Sequence, residues 1–241
     1  MRPPSGDRAP DGVIRVRAPN PSPLTLDGTN TYVTRGWVVD PGPGDERHLR
    51  AVLEAAGEGI EGIVLTHDHP DHAEGAPALS DLSGAPVATP GGGEIVGPFD
   101  VVATPGHSPD SVCLVAHRAC FTGDTVLGAG SVFIAPGEGS LAAYLESLRE
   151  LRRLDLEVLC PGHGPFVHDP RARIEEQLEH RLERERRLVA ALDAGARTHD
   201  EMLDAAWSEV PAELRPAARL TLEAHLEKLR DEGQLPANLD T

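Results

Sequence analysis

Six consecutive residues, His67-Asp68-His69-Pro70-Asp71-His72, constrain this chain more than any other feature. They follow residues 62–66, Gly-Ile-Val-Leu-Thr, a short apolar run rich in β-branched side chains that reads as a buried strand. In extended backbone, side chains at i and i+2 point to the same side. His67 and His69 can therefore present two imidazoles to one point. A helix predicted over 71–82 then turns the chain, so that Asp71 and His72 face a neighbouring point. One short loop thus offers donors to two adjacent metal ions, provided the fold sets a strand end against a helix start.

Three later segments have the same local character. Thr104-Pro105-Gly106-His107-Ser108-Pro109 and Cys160-Pro161-Gly162-His163-Gly164 each place a single His after a predicted strand, and Phe121-Thr122-Gly123-Asp124 places an Asp at the end of another. Gly or Pro beside each lets the backbone deliver the side chain into a cleft. Imidazole and carboxylate donors without a thiolate suit zinc or another first-row divalent ion. Cys160 lies close to His163, but a sparse, free cysteine there reads as a small buried hydrophobe. Of the other histidines, His48, His117, His168, His199 and His225 read as surface or helix-terminus residues, and His180 as a neighbour of the site with either a structural or a functional role.

Periodicity organises the rest. Strands are predicted over 13–17, 28–34, 36–40, 62–66, 85–89, 100–104, 111–116, 119–123 and 157–159, and helices over 45–56, 71–82 and 141–154. Strand runs with interspersed helices make sheet layers covered by helices, an α/β domain spanning 1–168. A long charged helix follows over 169–194, with six Arg and six acidic residues between Arg171 and Asp193; it reads as a solvated face with i,i+4 pairs such as Glu183–Arg187. Gly195 ends it. Residues 195–241 form a small module of three short helices, around 199–207, 212–218 and 220–232.

Charge narrows the partners. The formal net charge of −17 opposes broad binding of phosphate backbones. Residues 195–241 hold five Arg or Lys against ten Asp or Glu, the wrong balance for a duplex DNA reader. Packing, dimerisation or shaping of a substrate suits this module better, and a homodimer is compatible with it. Three cysteines without a Cys-x-x-Cys fit a reducing cytosol. Residues 1–11 are Pro-rich with no apolar core of a signal peptide, and no apolar run reaches 18 residues, so a cytoplasmic location off the membrane is expected.

The order His-x-His-x-Asp-His, then His, Asp and His, resembles the metallo-β-lactamase superfamily. The resemblance implies an αββα sandwich with a metal site at one edge. It implies that His67, His69 and His107 hold one zinc, that Asp71, His72 and His163 hold a second, and that Asp124 bridges them. His69 stands where the superfamily's di-iron flavoproteins carry Glu, which favours zinc. Asp40, at a strand end, stands where the superfamily supports its metal loop from behind. Asn20-Pro21-Ser22-Pro23-Leu24-Thr25-Leu26 with Gly28-Thr29-Asn30-Thr31-Tyr32, His180-Arg181, Arg184-Glu185, and Leu226-Glu227-Lys228-Leu229 with Gly233 look like the β-lactamase-like protein 2 family. That resemblance covers nearly the whole chain and implies a C-terminal winged-helix-like module and an endoribonuclease-like activity on single-stranded RNA.

The expected activity is hydrolysis by a hydroxide shared between two zinc ions per chain, with Asp71 orienting the nucleophile and taking up its proton. A phosphodiester of single-stranded RNA ranks first as substrate. A small-molecule thioester of the glyoxalase II type, or a lactone or β-lactam, ranks second. Only 38 residues separate Asp124 from His163, too few for the inserted domain of the superfamily's RNA-processing exonucleases.

Overall fold

The reason for a four-layer arrangement is visible in how neighbouring residues of one strand divide between two cores. In the computed structural model, which describes residues 8–236 and 239, Val38 and Ile63 face helices while Val39 and Val64, one residue on, face a second sheet. Cys113 and Cys120 likewise point outward and Leu114 and Phe121 inward. Side chains alternate along a strand, so a sheet that is apolar on both faces must be covered on both.

The first sheet has the order β1-β2-β3-β4-β5, formed by Val13–Arg17, Asn30–Thr34, Trp37–Val39, Gly62–Val64 and Val87–Ala88. β1, β2 and β3 are antiparallel, while β3, β4 and β5 run parallel. The second has the order β10-β9-β8-β7-β6, from Val158–Pro161, Ala119–Gly123, Val112–Ala116, Phe99–Ala103 and Ile95–Val96, with only the β9–β10 pair parallel. Between the sheets lie Tyr32, Phe99, Leu114, Phe121 and Cys160. Helices α1 (Glu46–Ala56), α2 (Pro70–Ala73) and α3 (Ala76–Ser83) flank the first sheet. Helices α4 (Leu141–Leu151) and α5 (Pro170–Asp193) cover the second through Leu145, Leu148, Ile174 and Leu178.

Helix ends follow local chemistry. Asp45 caps α1 by accepting from the amides of Arg47 and His48, and Asp169 caps α5 with Pro170 in its first turn. Three expectations change. The helix expected over 71–82 is broken at Gly75, whose amide donates to Gly42 O and whose Cα has no room for a side chain against Pro41 O and Gly42 O. The short β6 was not expected, because it follows three consecutive glycines. The last two predicted helices are a 3-10 turn, Ala212–Leu214, running into one helix α7, Arg215–Asp231.

The tail module, α6 (His199–Ala206) and α7, packs on the second half of α5 through Leu188, Leu192, Met202, Trp207, Leu222 and Leu226. Ala224 of α7 belongs instead to the core over the second sheet, so the module is docked on the sandwich. His225, expected at a surface or helix end, is fully buried against Trp207. His48 is buried too and pairs with Thr31 Oγ1 at 2.9 Å. Among the described residues no helix is long and apolar enough to cross a membrane. Residues 1–7 of the Pro-rich N-terminal segment lie outside the described residues.

Candidate metal centre

All seven predicted donors meet at one edge of the sandwich, five of them at strand ends or on the loops that follow and Asp71 and His72 on the short helix α2. Donor atoms of His67, His69 and His107 lie within 4.8 Å of one another, as do those of Asp71, His72 and His163. Asp124 stands between the two groups. Its Oδ2 is 3.7 Å from His107 Nε2, while its Oδ1 is 3.4 Å from His72 Nε2 and 3.3 Å from His163 Nε2. His69 Nδ1 and His107 Nε2 are 3.0 Å apart.

Four of the five rings are fixed from behind, which leaves one nitrogen of each free to face the centre. His107 Nδ1 donates to Phe133 O at 3.1 Å, and His163 Nδ1 to Gly28 O at 3.5 Å. His72 Nδ1 donates to Asp40 Oδ2 at 2.9 Å. Thr66 Oγ1 gives its single proton to the same Asp40 oxygen at 2.7 Å, so His67 Nδ1, 3.0 Å away, must be the donor to Thr66. Asp40 Oδ1 also accepts from Thr66 N at 2.8 Å. One buried carboxylate therefore orients a histidine in each group, directly for His72 and through Thr66 for His67. Asp40 adopts φ 50°, a left-handed conformation that Asp tolerates better than most residues.

The electrostatics separate the two groups. Burial pushes His67 down to about 2 and lowers His107, so both rings are neutral at pH 7. Burial opposes charge on His72 and His163 as well, but the Asp124 carboxylate outweighs it, with Asp40 helping at His72 and Asp71 at His163. His72 is raised well above its ordinary value and His163 to about 9. Burial acts against the Asp124 and Asp71 carboxylates, yet the facing His72 and His163 hold both below the usual range.

The donors fit divalent ions. His67 Nε2 and Asp124 Oδ1 are buried with no hydrogen-bond partner, a costly state for polar atoms that a cation would relieve. Gly162 leaves the space in which a Cβ would strike His72 and Asp124. The sulfur of Cys160, buried between the sheets, takes no part in these donor groups.

Several supports carry no motif that sequence inspection reads as function. Thr29 Oγ1 donates to Asp71 Oδ2 at 3.1 Å, and is itself held by Asn20 Nδ2 at 2.9 Å. Asn30 Nδ2 donates to Pro161 O and Gly164 O, both at 2.9 Å, buckling the loop that carries His163. The Gly28–Tyr32 signature was the available signal, but it carried no role. A strap at residues 132–134 joins the tail to the centre. Arg181 Nη2 of α5 donates to Val132 O, His107 to Phe133 O, and Ile134 N to Thr221 Oγ1 of α7 at 3.4 Å.

A cleft of about 530 Å³ opens over the donors. Its walls are the 22–26 loop, the 127–133 segment, α5 and the tail, so the tail forms one side of the entrance.

Sandwich and site together define a metallo-β-lactamase fold. The chain belongs to the metallo-beta-lactamase superfamily, whose sequence profile matches residues 24–94 and 89–163. The beta-lactamase associated winged helix domain matches residues 198–236, and α6 and α7 are its helices here. Among curated proteins, the chain is similar to a beta-lactamase-like protein 2 homolog of Caenorhabditis elegans, 29% identical over 94% of this chain and 87% of that one. It is also similar to an atrochrysone carboxyl ACP thioesterase of Aspergillus fumigatus, 33% identical over 84% of this chain and 75% of that one. Among solved structures, a metallo-beta-lactamase family protein from Thermus thermophilus aligns with a TM-score of 0.72 at 25% identity, over 92% of this chain and 94% of that one. A further solved structure, of a protein in a di-iron-bound form, aligns with a TM-score of 0.54 at 25% identity, over 64% of this chain and 94% of that one.

Metal content is expected near two equivalents per chain in protein purified without chelator and supplied with zinc. Because His163 and His72 carry protons at pH 7 and a cation must displace them, zinc uptake at pH 7 should release protons. The His163 share of that release should fade as pH rises through about 9, and calorimetry in buffers of different ionisation enthalpy counts it. A reproducible content near zero overturns the metal assignment.

Proposed function

We propose that the protein is a binuclear zinc hydrolase whose substrate is an acyl thioester with a largely apolar acyl group. His67, His69 and His107 would hold one ion, Asp71, His72 and His163 the other, and Asp124 would serve both. Bound there, the ions would lower the pKa of a water and polarise the carbonyl. Asp71, held by Thr29 and about one-third exposed to the cleft, orients the water and accepts its proton. The water oxygen bonds to the acyl carbon, the C–S bond breaks, and the thiolate takes up the proton that Asp71 had accepted.

The observation that carries the choice of substrate is the lining of the cleft. Leu26, Val132, Phe133, Trp207, Val210 and Leu214 wall it. An apolar wall binds an acyl chain by excluding water, whereas an RNA strand needs a track of cations along its phosphates, and among the described residues the lining offers only Arg181 and the Glu209-paired Arg184. The net charge of −17 points the same way. The similarity to a thioesterase supports this order, which reverses the ranking drawn from sequence, where the phosphodiester stood first. The zinc-loaded protein should cleave an octanoyl thioester of N-acetylcysteamine with kcat/KM at least about a hundredfold above its value for a single-stranded RNA oligonucleotide. The reverse order would restore the nuclease reading.

A further inference from the structure

Helix α5 brings three polar side chains to the cleft that the hydrolytic step does not use: His180, Arg181 and Arg184. Arg181 is 2% exposed and Arg184 5%. A guanidinium keeps its charge at any ordinary pH, so burying it is costly unless a counter-charge lies against it. Arg184 has one. Its Nη1 lies 2.9 Å from Glu209 Oε1 and also donates to Ala206 O.

Arg181 has no such partner. It donates to Val132 O and its Cζ lies 5.4 Å from the centre of the Tyr144 ring, but among the described residues no carboxylate comes within 4.0 Å of its nitrogens. Its Nε has no acceptor, nor has Arg184 Nε, and the buried His180 Nδ1 is unpartnered as well. Burial and the two neighbouring guanidinium groups keep His180 neutral at pH 7. The cleft wall therefore holds one uncompensated positive charge beside unused polar atoms.

We propose that Arg181 receives a carboxylate carried on the acyl chain of the substrate, so that the natural substrates are half-thioesters of dicarboxylic acids; this rests on the acyl-hydrolase reading above. A single unpaired guanidinium matches a monoanion, and its planar fork matches a carboxylate. A polyanion needs further cations, and the other Arg lining the cleft, Arg184, is already paired with Glu209. The remaining wall is apolar, which suits the methylene chain between the two ends of such a substrate. The simpler alternative is that Arg181 serves only to clamp the strap at Val132.

Binding of reaction products separates the two without needing turnover. Calorimetry on the zinc-loaded full-length protein would compare dicarboxylates, from succinate to suberate, with monocarboxylates of equal length. Both series offer one carboxylate to the metal centre, and only the first offers a second. At one chain length the dicarboxylate should bind at least about tenfold tighter, and Arg181→Met should reduce that ratio to about one, with metal content measured alongside. A wild-type ratio near one at every length overturns the proposal even if the variant fails to fold. So does a ratio that survives in Arg181→Met, or tighter binding of a dinucleotide than of any dicarboxylate. Thioester turnover without a carboxylate preference sinks this proposal alone. A carboxylate preference without thioester turnover sinks the reading of the reaction and leaves the subsite.

Discussion

Asp124→Ala should lower kcat/KM by about three orders of magnitude or more, the scale of losing a metal-activated nucleophile, and should bring metal content below one equivalent after desalting. The two carboxylate oxygens face different donor groups, Oδ2 toward His107 and Oδ1 toward His72 and His163. In the proposed centre, removing the side chain would therefore withdraw a ligand from both ions at once. It also removes the main counter-charge that keeps His72 and His163 protonated in the metal-free protein. Asp124→Asn keeps the shape and loses the charge, so it should fail in the same way. Elemental analysis with activity on the same preparation decides. A variant that retains two equivalents and a tenth of wild-type activity, by order of magnitude, would take Asp124 out of the centre.

Asp40→Ala should damage stability and metal affinity together. Asp40 touches no substrate, yet three buried donors end on it: Thr66 N, Thr66 Oγ1 and His72 Nδ1. Each orphaned buried donor costs about 1–3 kcal/mol, and the loss of a carboxylate behind ligating histidines weakens metal binding by about 10–100-fold. Both donor groups should be weakened, since Thr66 passes the effect to His67. Urea unfolding of the metal-free protein and chelator competition on the loaded protein read the two parts separately. If neither changes, the proton chain from His67 through Thr66 to Asp40 has no energetic weight.

The centre was legible in sequence because its donors sit where local rules apply. Four of them share six residues after a strand, and His107, Asp124 and His163 each end a strand beside Gly or Pro. The layers were legible for a related reason, since Val13–Arg17 alternates and Ala119–Gly123 is a short apolar run closed by Gly123. The supports were not. Thr29 reaches Asp71 across 42 positions and Asn30 reaches Pro161 across 131, and no spacing rule connects residues so far apart. The strap contributes backbone carbonyls at Val132 and Phe133, which have no side-chain signature at all. His225 reads as a polar residue on a charged helix, and only the packing of α7 against Trp207 shows that it is interior.

That strap bears on how such chains diversify. A terminal module is ordinarily the most exchangeable part of a protein, able to be traded between relatives while the catalytic domain is left alone. Here Thr221 of the tail holds Ile134 N, one residue from the carbonyl that fixes His107. Linkage of this kind is reciprocal, so a grafted tail would alter the affinity of the centre for its metal, and metal loading would alter how firmly the tail is held. Recombination at the α5–α6 junction is then not neutral: a new specificity and a retuned metal site would be inherited together.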